Sequence, residues 1–134
     1  MPSSLAAMTR ECPCGSVVAY HSCCGPLHDG QAATTAEALM RSRYSAYATG
    51  HLDHVFRTWH PRTRPAGLTL RDVQWLGLEI VRTVNGGVED DTGLVEFRAR
   101  FRGPEGAALL HEESRFERRA GRWVYVDGEV GGLS

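Results

Sequence analysis

The chain has 134 residues, enough for one domain with a small appendage. Fifteen basic residues, all arginine, stand against sixteen acidic ones, so a net charge of −1 gives no electrostatic case for direct nucleic-acid or anionic-lipid binding. No apolar run reaches the roughly 18–20 residues that a membrane span requires.

Residues 1–11 read as a loose leader. No basic stretch followed by an apolar one occurs there, so no secretory signal is visible and a cytoplasmic location is expected. Residues 12–30 hold the chain's four cysteines, as Cys12-Pro-Cys14-Gly-Ser and then Cys23-Cys24-Gly25. Four thiolates in so short a segment suit the tetrahedral demand of a structural zinc ion, with Cys12, Cys14, Cys23 and Cys24 as ligands. Adjacent Cα atoms lie about 3.8 Å apart, which suits a Cys23–Cys24 disulfide poorly. Crossed disulfides such as Cys12–Cys23 need an oxidising compartment, and redox use favours a C-x-x-C that is missing here. His21 and His28 flank the site, but four thiolates already complete a tetrahedron. With Tyr20, these residues resemble the SEC-C motif, a small zinc element. The lysines usual between its two halves are replaced by Val17-Val18-Ala19, which removes any basic surface the motif would lend.

Residues 31–134 form the expected main domain. Thr34-Thr35-Ala36-Glu37 reads as a capping box with Thr34 as the cap. Ala36, Met40, Tyr44 and Tyr47 follow at helical spacing with Leu39 and Arg43 on adjoining tracks, and Gly50 suits the C-terminal cap. A second helix is expected over Leu52 to Trp59, stopped by Pro61. Thr69 and Asp72 suggest a short third one.

From Trp75 the period changes to two. Leu78, Ile80 and Val84 alternate with Glu79, Val81 and Thr83, and Arg82 falls on the inward parity. Val95, Phe97, Ala99 and Phe101 alternate with Glu96, Arg98, Arg100 and Arg102, the pattern of a half-buried strand. Ala108 to Arg118 and Trp123 to Asp127 complete four strands. Helices followed by an antiparallel meander predict an α+β fold. With Phe97 and Phe101 inward, Arg98, Arg100 and Arg102 face His111, Glu113, Arg115 and Glu117 on an outer, ion-paired surface.

Ala36-Glu-Ala-Leu-Met-Arg-Ser-Arg-Tyr-Ser-Ala-Tyr47, Trp59-His60-Pro61, Trp75-Leu-Gly-Leu78, His111-Glu-x-Ser114-x-Phe116 and Trp123-Val-Tyr125-Val-Asp-Gly128 together resemble the bacterial YchJ family. The resemblance implies a nuclear-transport-factor-two-like cone, a curved sheet wrapped on helices and preceded by the zinc element. Two functional readings follow. In the first, the zinc element is a rigid knob and the protein docks on a protein or ribosome-associated partner, an expectation resting on analogy. In the alternative, an apolar cone cavity binds a small molecule or acts as an enzyme site, with Glu112 and His60 as polar groups. Parity sets Glu112 inward beside Ser114 and Phe116, with Arg82 as its partner or a tyrosine hydroxyl in that place. Tyr44, Tyr47, Trp59 and Tyr125 supply the walls. Each of these residues has an equally ordinary reading as core.

Overall fold

The structure, a computed structural model, describes residues 10–67 and 73–130. A 3-10 turn at Tyr20–Ser22 leads into the short helix α1 (Cys24–His28). Then come α2 (Ala36–Thr49) and α3 (Leu52–Arg57), and the strands β1 (Gln74–Asn85), β2 (Thr92–Gly103), β3 (Gly106–Arg119) and β4 (Arg122–Val130). The strands form one antiparallel meander in the order β1-β2-β3-β4, and α2 lies against β1, β2 and β4. The expected third helix at Thr69 lies outside the described residues.

Helix α2 starts where a threonine was expected to cap it, but the cap is Thr35. Its hydroxyl accepts from the Ala38 N–H at 3.0 Å. Thr34 instead offers its carbonyl to the Trp123 indole at 3.2 Å. Glu37 pairs with Arg41 one turn on rather than reaching back to the cap. The Ala36 N–H is taken by the Gly86 carbonyl at 2.9 Å, which docks the helix start on the end of β1. Gly50 closes the helix at φ 85°, a left-handed value that glycine adopts without strain. Helix α3 ends at Arg57, two residues earlier than its apolar pattern suggested. Trp59 leaves the helix to form a parallel bridge with Tyr125, with the Tyr125 N–H donating to Thr58 and the His60 N–H to Tyr125, both at 2.8 Å.

The sheet curves because it carries bulges. Register shifts fall between Trp75 and Gly77, between Ile80 and Arg82, and opposite the Arg115/Phe116 step. The concave face packs on α2 through Val95, Phe97, Ala99 and Phe116, all buried, while Phe101 is half-buried. Arg98, Arg100 and Arg102 are exposed on the convex face, as the alternation of β2 requires. The β3–β4 connection is a two-residue turn with positive φ at both Ala120 (53°) and Gly121 (81°), a geometry that matches the strands' twist.

One bulge reverses an expectation. Ile80 pairs with Phe97 but Arg82 pairs with Glu96, so Val81 is an extra residue that switches the parity of everything after it. Arg82 therefore stands on the convex face, not inside the cone. It donates to Glu96 at 2.8 Å and Glu113 at 3.0 Å there.

Candidate functional site

Two constellations carry chemistry. The first is the cysteine cluster. The Cys12 N–H donates to the Val18 carbonyl at 2.8 Å, and Gly15, at φ 83°, turns the chain so that Cys12 and Cys14 face inward. Cys23 and Cys24 arrive from the start of α1. All four are free thiols and their Sγ atoms lie within 4.8 Å of one another. Cys14 Sγ is 3.7 Å from Cys23 Sγ, and Cys23 Sγ is 3.9 Å from Cys24 Sγ. A tetrahedron of sulfurs about 2.3 Å from a central ion has edges of about 3.8 Å. The donor set suits a metal ion, and these two separations already match such an edge.

The surroundings support that fit. The Ser45 hydroxyl of α2 lies 3.3 Å from Cys24 Sγ and 3.4 Å from Cys12 Sγ, and the Ser16 hydroxyl lies 3.2 Å from Cys23 Sγ. Arg41 donates to the Cys14 carbonyl at 2.8 Å. Hydrogen bonding from Cys24 draws the Cys14 thiol down to about 4, while the same contact pushes Cys24 up. Burial pushes Cys23 up. His28 is not a spare ligand. Its Nδ1 accepts from the Tyr20 hydroxyl at 2.7 Å and its Nε2 donates to the Ser42 carbonyl at 2.8 Å, so both nitrogens are used. His21 is exposed and stands outside the cluster. Cys12, Cys14, Cys24 and Leu27 share one buried core with Leu39, Tyr44, Phe97 and Trp123. The segment expected as a separate knob is built into the main domain's packing.

The second constellation is a cavity of about 360 Å³ between α2 and the concave sheet. Tyr44, Tyr47, Trp59, Glu112 and Tyr125 all line it, together with Arg43, Trp75 and Ser114. Glu112 points inward as the parity of β3 predicts, and its Oε2 accepts from Ser114 at 2.7 Å and from the Tyr125 hydroxyl at 3.1 Å. A Cβ on Gly128 would come within 2.1 Å of that oxygen, so the carboxylate occupies space only a glycine leaves free. Burial first, and then Glu112, pushes Tyr125 above its ordinary range, which keeps its hydroxyl a donor.

The two remaining candidates lie elsewhere. Arg82 is on the convex face, as above. His60 is absent from the cavity lining because Trp59 and His60 alternate along an extended segment. Trp59 enters the cavity, while His60 turns away, with its Nδ1 accepting from the Arg62 N–H at 3.0 Å and its Nε2 4.0 Å from Glu117.

The cation of the cavity is instead Arg43, only 4 % exposed. Its guanidinium carbon lies 4.5 Å from the Tyr125 ring centre and 5.0 Å from that of Trp59. Nη1 donates to the Val55 carbonyl at 3.0 Å and the Thr58 hydroxyl at 2.8 Å. Burial weighs against its charge, and Tyr47, Tyr125 and Glu112 oppose that shift only in part. The signal for Arg43 was its place one turn after Leu39, inside the apolar arc of α2 rather than beside it.

The family model for the YchJ middle NTF2-like domain matches residues 35–128. A UPF0225 protein of Streptomyces coelicolor is 54 % identical over 123 residues, covering 90 % of this chain and 96 % of its own length. One from Bordetella parapertussis is 49 % identical over 135 residues, covering 96 % of each. Among solved structures, a SEC-C motif containing protein from Rhodopseudomonas palustris superposes with a TM-score of 0.80 at 35 % identity, over 91 % of this chain and 99 % of that one. Another, from Psychrobacter arcticus, gives 0.75 at 28 % identity, over 95 % and 86 %. A four-stranded cone on α2, a cysteine cluster at its base and these likenesses converge: the chain belongs to the YchJ family.

Proposed function

We propose that this is a zinc-stapled binding protein whose cone cavity takes a small organic molecule. The carrying observation is Arg43, a buried guanidinium with no ion-pair partner among the described residues, set in an aromatic cavity that also holds the Glu112 carboxylate. A volume of about 360 Å³ lies at the lower end of the range for small-molecule sites, roughly 300–1,000 Å³. Mostly apolar walls with a few polar groups are the usual composition of such sites. Zinc bound by Cys12, Cys14, Cys23 and Cys24 has all four positions filled by protein, which suits a structural ion. It would fix the segment through which Ser45 and Arg41 hold α2, and α2 carries Arg43.

A library of neutral and charged fragments, read by indole N–H resonances of the three tryptophans, tests this. Trp59 and Trp75 line the cavity, whereas Trp123 does not. Hits are expected to shift the first two and leave the third. A library without hits, or with hits that spare Trp59 and Trp75, refutes the reading.

A second reading, docking on a protein partner, is favoured by one feature. Val17 and Val18 form an apolar tip on the cysteine loop, 73 % and 44 % exposed, with Val17 at φ 60°, a strained value for a β-branched residue. Replacing both with Ser should abolish capture of the partner in a metal-replete pull-down. Equal capture by the variant removes this reading.

A further inference from the structure

The chemistry of the cavity's ligand is legible in which of its donors and acceptors are left over. Both hydrogen bonds of the Arg43 guanidinium leave from Nη1, to Val55 and Thr58. Among the described residues, Nε and Nη2 have no acceptor, and no carboxylate lies within ion-pair distance. Nε–H and Nη2–H point the same way from the guanidinium plane, and that edge is the two-pronged fork that matches the two oxygens of a carboxylate. Beside it, the Trp59 indole Nε1 is buried with no acceptor among the described residues. Buried donors without acceptors are rare, because each forfeits its bonds to water. Of these donors the Trp59 N–H is the fully buried one, and it adjoins a guanidinium edge that has no protein acceptor among the described residues.

The other end has the opposite sign. Glu112 accepts both of its hydrogen bonds on Oε2, from Ser114 and Tyr125, which leaves Oε1 without a partner among the described residues. Among the described residues of the lining, Arg43 and Glu112 are the charged ones, so these walls sum to zero. A dianion such as a phosphate monoester would leave the cavity with excess negative charge. A single carboxylate joined to an ammonium group meets both ends and adds no net charge. Between them the walls are rings, with Trp75 packed against Tyr44 and Tyr47 at centroid distances of 5.7 and 6.4 Å.

Building on the cavity reading, we infer that the ligand is a small monocarboxylic acid with an aromatic or apolar body and an amine donor. Its carboxylate sits on the Nε/Nη2 edge of Arg43 and the Trp59 N–H, and its donor sits on Glu112.

Four probes share a phenyl ring and separate the groups: phenylacetate, phenethylamine, phenylalanine and phenyl phosphate, with benzyl alcohol as the neutral reference. Each is titrated into the metal-replete full chain and followed by indole N–H shifts. Phenylacetate is expected to move the Trp59 signal, and phenylalanine to bind more tightly than either single-group probe. Trp59→Phe keeps the ring but not the N–H. It should weaken both carboxylates about tenfold or more and leave phenethylamine unchanged. Glu112→Gln should erase the advantage of phenylalanine over phenylacetate. Arg43→Lys keeps the charge but loses the fork, and should weaken carboxylates even where the fold is intact.

Carboxylates binding no better than benzyl alcohol or phenyl phosphate would overturn this ligand class while the cavity reading stood. Carboxylate affinities indifferent to Trp59→Phe and Arg43→Lys would do the same. If every probe is silent, the ligand class is overturned, and the fragment screen decides separately whether the cavity binds anything.

Discussion

His54 offers a test of the packing between α2 and α3 in which one proton is the perturbation. The residue is 2 % exposed. The Ser42 hydroxyl donates to the Leu39 carbonyl, so at the 2.9 Å contact between Ser42 Oγ and His54 Nε2 the imidazole must be the donor. Its Nδ1 is then a bare lone pair, buried with no partner. Burial, reinforced by His28, Arg57, Arg43 and His51, pulls the imidazole down from 6.5 to about 3. The folded value lies below the unfolded one, so the folded state prefers the neutral ring. The stability this confers is complete above pH 6.5 and is lost as pH falls towards 3. Linkage over that interval gives a loss of about 2 kcal/mol by pH 5 and about 3 kcal/mol by pH 4. Urea unfolding at pH 7.5, 5 and 4 measures it against His54→Gln, which keeps a donor for Ser42 but does not titrate. Acid effects on the thiolates are common to both proteins and cancel in the difference. Parallel loss of stability in the two proteins would refute the buried bare lone pair.

The other outcomes concern the metal and particular contacts. The purified protein should hold one zinc per chain, released by mercurial titration of its thiols. Chelation should lower the whole unfolding transition rather than melt residues 12–30 alone, because Cys12, Cys14 and Cys24 lie in the common core; an unchanged main transition would oppose this. Gly128→Ala should expel the Glu112 carboxylate, which a Cβ would approach to 2.1 Å. Because a flexible side chain can yield, the cost in denaturant melts should be only about 1–2 kcal/mol, with loss of amine-bearing ligands by titration. Gly93→Ala should cost more, about 2–3 kcal/mol or above, since its Cβ meets the Gly86 Cα at 2.6 Å and backbone cannot swing aside. Gly103→Ala, with nothing nearer than 3.6 Å, is the tolerated control for the same melts. Arg43→Met should change stability by less than about 1 kcal/mol. A loss of about 3–5 kcal/mol would mean that Arg43 has an intimate counter-ion, left buried by the substitution.

Much of this architecture is local enough to read from residue order. The alternation of β2 and β3 placed Phe97, Phe116 and Glu112 inside and Arg98, Arg100 and Arg102 outside, because period-two geometry holds as long as pairing is regular. Gly50 ended its helix where a left-handed residue was needed. The four cysteines marked out a candidate metal site, because few other chemistries use that many thiols in so short a segment, and the structure brings them together. The threonine cap slipped by one residue because Thr34 and Thr35 are chemically equal. What separates them is that the Trp123 indole takes the Thr34 carbonyl.

The arginines mark where residue order stops being enough. Arg82 and Arg43 are the same side chain, and parity assigned the cavity to the wrong one. The reason is the extra residue at Val81, a bulge whose position depends on how β1 meets β2 and not on β1 itself. Once outside, Arg82 joins an exposed network with Glu96 and Glu113, an arrangement that contributes little to stability. Arg43 went unread for the converse reason. An arginine within a helix's apolar arc is ordinarily a snorkelling residue, with its stem packed and its head in water. Here α3 and β4 close over the head, through the Val55 carbonyl, the Thr58 hydroxyl and the Tyr125 ring, so the charge stays inside. Burying a guanidinium without a carboxylate costs free energy that an apolar residue of the same size would not. Two hydrogen bonds and two aromatic faces offset part of that expense, and the carboxylate inferred for the cavity would offset more of it.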